Sequence, residues 1–578
     1  MSIKRNKLRN TMRRYTLFRI LLFILLPLQA QHSIPYLQKQ GSATQLIVDQ
    51  APFLVLGGEL GNSSAASVED IERIFPKLRR MGLNTVLVPA YWDLTEPMEG
   101  IYDFTLTDKV IRQARENHLK VIFLWFGAWK NSMSCYAPLW LKENYEKYPR
   151  ARTKAGKPLE IASAFSENVY QADSRAFTQW IQHIAATDKE EGTVIMIQIQ
   201  NEIGMLEDAR DYSEVANKFF ESPVPGELTD YLKQNRKTLY PQMLEKWGAN
   251  GYKTNGNWQE VFGEDLYTDE LFMAWHYARY VERMAQVARS IHSVPLFVNA
   301  AMNSRGRKPG EYPSAGPLAH LIDIWHCAAP GIDFLAPDLY DDGFPAWTAQ
   351  YKLHNNPLFI PEIRLADNNG VRAFYVFGEH DAIGFSPFSI ENGSDETSVP
   401  LVQAYARLGE LMPLLVKYQG RELMNGLLFD RENKERILER DGLKINCRHF
   451  FTLPWDPRAT DGSEWPEGGG LILKLGELEY LVAGSGIVIE FETESENRIR
   501  RSLGEDGFAV AGGEPLPATA WDGGSRIGIG YVDEVRVEED GTLRYVRRLN
   551  GDQTHQGRHV RIPVDDFSIL HVKLYEYR

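Results

Sequence analysis

Cysteine is nearly absent, with three residues in 578, at positions 135, 327 and 447. Three thiols so far apart make neither a disulfide framework nor a metal cluster, and their default is a buried thiol with at most one pair. Positive charge is also short, with 64 Lys and Arg against 77 Asp and Glu. Seven of the cations and none of the acids fall in residues 1–30, so losing that stretch moves the net charge from −13 to −20. That sign argues against nucleic acid and against anionic membrane surfaces as partners. There is no Gly-rich phosphate loop after the first apolar run, no internal repeat and no low-complexity tract. The run "ILLFILLPLQA" (20–30) falls short of the about 20 residues of a membrane span. It follows Lys4, Arg5, Lys7, Arg9, Arg13, Arg14 and Arg19, and reads as the apolar part of a signal peptide over 1–30, cut after Ala30. Met12 is an alternative start, and an uncleaved anchor is the competing reading. The signal predicts a periplasmic or secreted protein with no stable membrane insertion after cleavage.

What is present is a globular composition, 43% hydrophobic and 11% aromatic, with 13 Trp and 26 Tyr. That wealth of rings suits sugar stacking and suits a large core equally. Eight short apolar runs occupy 52–60, 84–92, 120–129, 193–202, 295–303, 332–340, 357–364 and 382–390. Amphipathic stretches separate them, among them 67–82, with acids early, bases late and a Gly stop. Eight strands alternating with helices predict an α/β fold, a (β/α)8 TIM barrel over 31–425, with an open doubly wound sheet as the alternative. The longest insertion, 203–268, carries a helix expected over 229–248, and 399–419 reads as the last barrel helix. Beyond residue 425, apolar and polar residues alternate between Gly-containing turns, which predicts a C-terminal all-β sandwich-type domain over 426–578. Packing against the barrel as a support and binding sugar are both open to it.

Polar residues at the C-terminal ends of barrel strands are the first candidates for chemistry. Those ends offer Glu59, Tyr91 and Trp92, Trp129, Asn201 and Glu202, Asp338 and Tyr340, and Glu362. Glu202 ends "TVIMIQIQNE" and shares parity with Gln198 and Gln200, which predicts that it points to the barrel axis. Glu362 follows Pro361, where regular pairing is expected to end and throw the acid onto the rim. Strands four and seven lie across a barrel from one another, so the two carboxyls should face each other. Opposed carboxyls serve glycoside hydrolysis, one donating a proton to the leaving oxygen and the other attacking the anomeric carbon or activating water. A separation of about 5–5.5 Å gives direct attack and retention. A rim salt bridge is the ordinary reading of either Glu alone. A catalytically silent carbohydrate-binding barrel would lack one of the pair, and both are present.

Four stretches, "GGEL" (57–60), "YWDLTEPMEGIYDF" (91–104), "IQIQNEIG" (197–204) and "FIPEIR" (359–364), resemble the β-galactosidases of glycoside hydrolase family 35, within the clan of retaining (β/α)8 glycosidases. "LNGDQTHQGRHVRIP" (549–563) is similar to bacterial members with a compact C-terminal β domain. The resemblance implies Glu202 as acid/base, Glu362 as nucleophile and Asn201 on the sugar 2-hydroxyl. It implies an exo-acting retaining β-galactosidase on oligosaccharide or polysaccharide fragments, xyloglucan-type among them, with a retaining β-glycosidase of another sugar specificity as the alternative. It departs from the pattern at Gly61, where His is expected, and at Phe388, where a Trp platform is common. Trp92, Trp129 and Tyr340 are candidates for stacking on sugar, each with a core or rim role as the rival. Glu59 either binds a hydroxyl or pairs with Lys130 or Arg364, and Glu96 shapes its loop. His276 and His326 lack ligand spacing, so neither a metal nor a cofactor is called for, and the expected partner is the carbohydrate substrate.

Overall fold

The computed structural model describes residues 34–303, 305–393, 399–453, 455–500 and 523–578. The expected signal segment lies outside the described residues. Eight parallel strands form one sheet: β1 (Val55–Leu56), β2 (Thr85–Tyr91), β3 (Lys120–Lys130), β4 (Val194–Asn201), β5 (Leu296–Ala301), β6 (Phe334–Leu339), β7 (Phe359–Ile363) and β8 (Gly384–Pro387). Strand β8 pairs with β1, and Leu60 and Leu87 N–H donate across the seam to Leu87 and Gly58 carbonyls at 3.0 and 2.9 Å, which closes the barrel. Every residue of β2, β4 and β7 is buried, as expected of strands covered on both faces.

Each strand is followed by a helix: α1 (Val68–Arg80), α2 (Thr105–Glu116), α3 (Glu167–Thr187), α4 (Leu266–Ile291), α5 (Ile322–Ala328), α6 (Phe344–Tyr351), α7 (Asn369–His380) and α8 (Val399–Tyr418). The eight apolar runs of the sequence therefore coincide with the barrel strands. The helix expected over 229–248 is two, Gly226–Gln234 and Pro241–Ala249. Pro241 sits at the first turn of the second, where its missing N–H is harmless and where it would have broken a continuous helix. Ahead of the barrel stands a three-stranded meander that the apolar runs do not announce, Tyr36–Gln40, Ala43–Val48 and Ala51–Phe53. Its Gln45 donates to the Val416 carbonyl at 2.7 Å, and Asp49 accepts from Lys120, the first residue of β3, at 2.9 Å. It therefore lies at the end of the barrel opposite the strand C-termini.

Past α8 the chain forms two antiparallel sheets. Six strands run in the order Met424–Phe429, Gly468–Gly476, Glu479–Ser485, Ser568–Tyr577, Arg526–Val537, Leu543–Arg548. Four run Glu435–Arg440, Leu443–His449, Ile487–Thr493, Val560–Ile562. Ile445, Cys447, Val482, Ile489 and Val572 belong to the core between them. The other face of the six-stranded sheet, through Leu471, Leu473, Leu481 and Ile569, joins the barrel's own core. Contact with α7 is close. A Cβ on Gly426 would stand 2.3 Å from the Tyr375 carbonyl, and one on Gly378 would stand 2.7 Å from the Leu471 Cβ. Arg436 fastens the seam to Glu379 at 3.0 Å.

Candidate active site

The C-terminal strand ends bring four carboxyls and one ammonium together. Lys130 ends β3, where the pairing with β4 jumps from Trp125 opposite Ile199 to Lys130 opposite Asn201. This bulge turns into a tight loop in which Asn131 and Ser132 N–H donate to the Asn201 and Glu202 carbonyls at 3.2 and 3.1 Å. The loop holds Lys130 Nζ 3.9 Å from Glu202 Oε2. Glu202 follows β4 with a left-handed backbone, φ 42°, and its N–H donates to Asn299 Oδ1 at 2.9 Å.

Parity does not explain how Glu202 reaches the pocket. Gln200 is itself left-handed, φ 62°, and its side chain turns to the helical layer, donating to Asp173 of α3 at 2.7 Å and accepting from the Trp129 N–H at 3.0 Å. Two αL residues break the period of two on which parity rests. Nor does pairing stop at Pro361. Glu362 lies inside β7, in register with Asp338 of β6, and the proline is absorbed by a register shift against β8 between Ile360 and Ile363.

Relative exposure is 1% for Glu59, 4% for Glu202, 1% for Asp338, 3% for Glu362 and 4% for Lys130. Four buried carboxylates against one ammonium would leave three charges uncompensated, so protons must be held in the cluster. Burial raises all four carboxyls. Glu59 and Asp338 are pushed well up, first by desolvation and then by the Glu362 charge. Glu202 is pushed up to about 7 by burial and by Glu362, against Lys130 and a hydrogen bond from Asp338. Glu362 is raised by burial, with Lys130 and the Tyr340 hydroxyl working to keep it ionised. Burial works against the charge of Lys130, but Glu362, Glu202, Glu59 and Asp338 together outweigh it and raise its pKa. Glu202 thereby titrates at about 7, and Glu362 has a cation and a phenol on the side of its ionised form.

Asn201 is fully buried beside this cluster, and neither end of its carboxamide has a partner. Glu362 Oε2 and Glu59 Oε1 are likewise unpartnered. Tyr340 donates its hydroxyl to Glu362 Oε1, so it serves the acid and is not merely a stacking ring. Glu59 bridges the strand seam between Leu87 and Phe388, with Lys130 in its field.

Two expectations are overturned. Trp92 and Trp129 have no accessible surface. Trp92 Nε1 donates to Glu96 at 3.0 Å, and Glu96 in turn accepts from the Gly100 N–H at 2.7 Å, so both shape the loop. Trp129 Nε1 donates to the Ala162 carbonyl at 3.1 Å, and its ring packs edge-on to Tyr277 and Tyr280. An enclosed ring offers a sugar no face. The departure at Gly61 has a physical reason. Its N–H and Ser64 both donate to Glu391, and a Cβ there would stand 2.8 Å from Glu391 Oε1, so the carboxylate fills the space a His would need. Among the described residues no His, Cys, Asp and Glu grouping could hold a metal ion, and no helix is long and apolar enough to cross a membrane.

Residues 63–276 match the glycoside hydrolase family 42 model, described as Beta-galactosidase. The match takes in Glu202 and stops short of Glu362. Residues 401–561 match a domain of unknown function, DUF5597. No curated protein matches. Among solved structures, the chain is similar to the β-galactosidase of the psychrophilic Marinomonas ef1, at 13% identity and TM-score 0.41 over 62% of this chain and 60% of that one. It is similar to the β-galactosidase of Bacillus circulans sp. alkalophilus, at 12% and 0.42 over 62% and 56%. It is also similar to the β-amylase catalytic domain of Paenibacillus polymyxa, at 13% and 0.42 over 59% and 94%. The chain thus spans less than two thirds of the length of these two β-galactosidases. The family 35 resemblance gives way, since the model that matches is that of family 42, while the coarser likeness to β-galactosidases of the (β/α)8 clan stands.

Proposed function

We propose that this glycoside hydrolase removes terminal β-D-galactosyl residues from oligosaccharide or polysaccharide fragments by double displacement. The observation that carries the reading is the convergence of Glu202, at the end of β4, and Glu362, in β7, in one buried cluster with Lys130 and Tyr340. Glu362, kept toward its ionised form by Lys130 and Tyr340, attacks the anomeric carbon. Glu202 gives its proton to the leaving oxygen, then takes one from the water that releases the sugar. Asn201 is the residue we assign to a sugar hydroxyl beside the acid, a reading supported by the unpartnered ends of its carboxamide. Glu59 at the strand seam is a second hydroxyl contact. Galactose-capped fragments of xyloglucan type are the natural substrate class we favour, and the signal segment with its cut after Ala30 directs the protein to the periplasm or outside the cell.

A panel of aryl β-glycosides tests this with wild type, E202Q and E362Q. The β-galactoside should be the best substrate, each variant should lose at least about a thousandfold in kcat, and NMR of the first-formed product should show the β anomer. Equal turnover in all three proteins, or an α product, would refute the assignment. Preference for another β-glycoside would retain the acids and change the sugar.

A further inference from the structure

Asp173 lies on α3, fully buried in the helical layer behind the pocket, and donors from three elements converge on it. From β3, Trp125 Nε1 reaches its Oδ1 at 2.9 Å. The Ala128 N–H of β3, Gln200 Nε2 of β4 and the Tyr280 hydroxyl of α4 reach its Oδ2 at 3.3, 2.7 and 2.9 Å. The Trp129 N–H, 3.0 Å from Gln200 Oε1, settles which way that amide turns, since only the oxygen accepts. Gly127 makes room for the knot, because a Cβ there would stand 2.6 Å from Asp173 Oδ1.

The knot answers to the bulge that ends β3. That strand runs from Trp125 to Lys130 while its partner β4 runs only from Ile199 to Asn201. The extra backbone is buried and has no ladder to bond, so its N–H groups need other acceptors. Asp173 takes Ala128, Gln200 takes Trp129, and the Met133 carbonyl takes Lys130 at 2.8 Å. On the β4 side, a left-handed backbone at Gln200 is strained for a residue with a Cβ and persists only where its surroundings over-determine it. Its side chain is pinned at both ends, and its carbonyl accepts from Gln198 Nε2 at 2.9 Å. Glu202, two residues on and left-handed again, accepts at its carbonyl from Ser132 of the same bulge loop.

We infer that Asp173 is a positioning residue for Glu202. Through Gln200 and the β3 bulge it fixes the backbone from which the acid is aimed, and it touches no substrate itself. The catalytic consequence rests on the function proposed above; the hold of Asp173 on the bulge does not.

Two readouts separate these. D173N keeps the shape but sets an NH2 group against donors whichever way its amide turns. Hydrogen exchange over 125–134 and 198–204 should quicken in D173N by about tenfold or more. It should stay at the wild-type rate there in D323N, a like change on α5, where Asp323 accepts from the Tyr240 N–H at 2.8 Å. With phenyl β-galactoside, whose leaving oxygen needs a proton, kcat/KM of D173N should fall by about tenfold or more. With 2,4-dinitrophenyl β-galactoside, whose leaving group departs without one, it should stay within about threefold of wild type. A fold that is merely loosened would lower both alike. Unchanged exchange over those stretches, or equal losses on the two substrates, would each overturn the inference. If D173N does not fold, Q200M, which cuts the same link at its other end, is read in the same two ways. No turnover of any glycoside by wild type would instead refute the proposed function, with exchange still deciding whether Asp173 holds the bulge.

Discussion

Replacing Lys130 by Met tests the electrostatics of the pocket most directly. The side chains are similar in length, so the change removes a charge more than a volume. Lys130 Nζ is 3.9 Å from Glu202 Oε2 and almost wholly buried. At an effective dielectric of about 20, that separation corresponds to about 4 kcal/mol, or about three pKa units. Neighbouring groups take up part of it, leaving a rise of about one to three units in the proton affinity of Glu202. Glu362 moves in the same direction, because Lys130 also favours its ionised form. Both limbs of the kcat/KM profile of K130M should therefore move to higher pH by one to three units. Near pH 6 the variant should lose at least about tenfold, with partial recovery near pH 9. Stability has a matching sign. Carboxyls raised in the folded state contribute stability that is present below their ordinary value of 4.5 and lost as pH rises through the folded value, about 7 for Glu202. K130M raises those values further, so its unfolding free energy should fall more steeply between pH 5 and 9 than that of wild type in urea titrations. A K130M profile within about 0.3 unit of wild type would refute the role given to Lys130.

Two further changes probe the same site. Y340F removes the hydroxyl that donates to Glu362, so kcat should fall by about ten- to a hundredfold, the worth of a hydrogen bond to a charged group, and the acid limb should move to higher pH. W129F removes the indole bond to the Ala162 carbonyl and leaves space in the core. It should cost about 1–3 kcal/mol in denaturant titrations while KM stays within about twofold, whereas a ring that stacks on sugar would raise KM instead.

The barrel was legible in the chain because its strands are buried on both faces and stand out as apolar runs. The pair Glu202 and Glu362 was legible by the same contrast, an acid closing an apolar run. Lys130 carries the identical signal at the end of "KVIFLWFGAWK", and Asn299 carries it inside "PLFVNAA", yet neither was singled out for the site. Asp338 stands at a strand end with no partner visible in its own run, because Asn299 bonds it from the neighbouring strand and Glu362 lies beside it in register. The tryptophans misled because a ring near a strand end turns either to the strand-end cluster or to the helices, and composition is silent on which. The left-handed backbone at Gln200 breaks the period of two, and no residue type in the run announces it.

The fit of the six-stranded sheet against α7 and α8 bears on how this chain is inherited and dissected. The match to the domain of unknown function begins at residue 401, inside α8, so that boundary cuts through a barrel helix. A barrel severed there, or just after α8, would show water the flank now sheathed by Leu471, Leu473 and Ile569. The halves are therefore bound to drift together. A donor C-terminal half could replace this one only if it brought a glycine opposite the Tyr375 carbonyl, as Gly426 does here. Novelty in the C-terminal half has freer rein on the four-stranded sheet, provided that Arg436, its tie to Glu379 of α7, is kept.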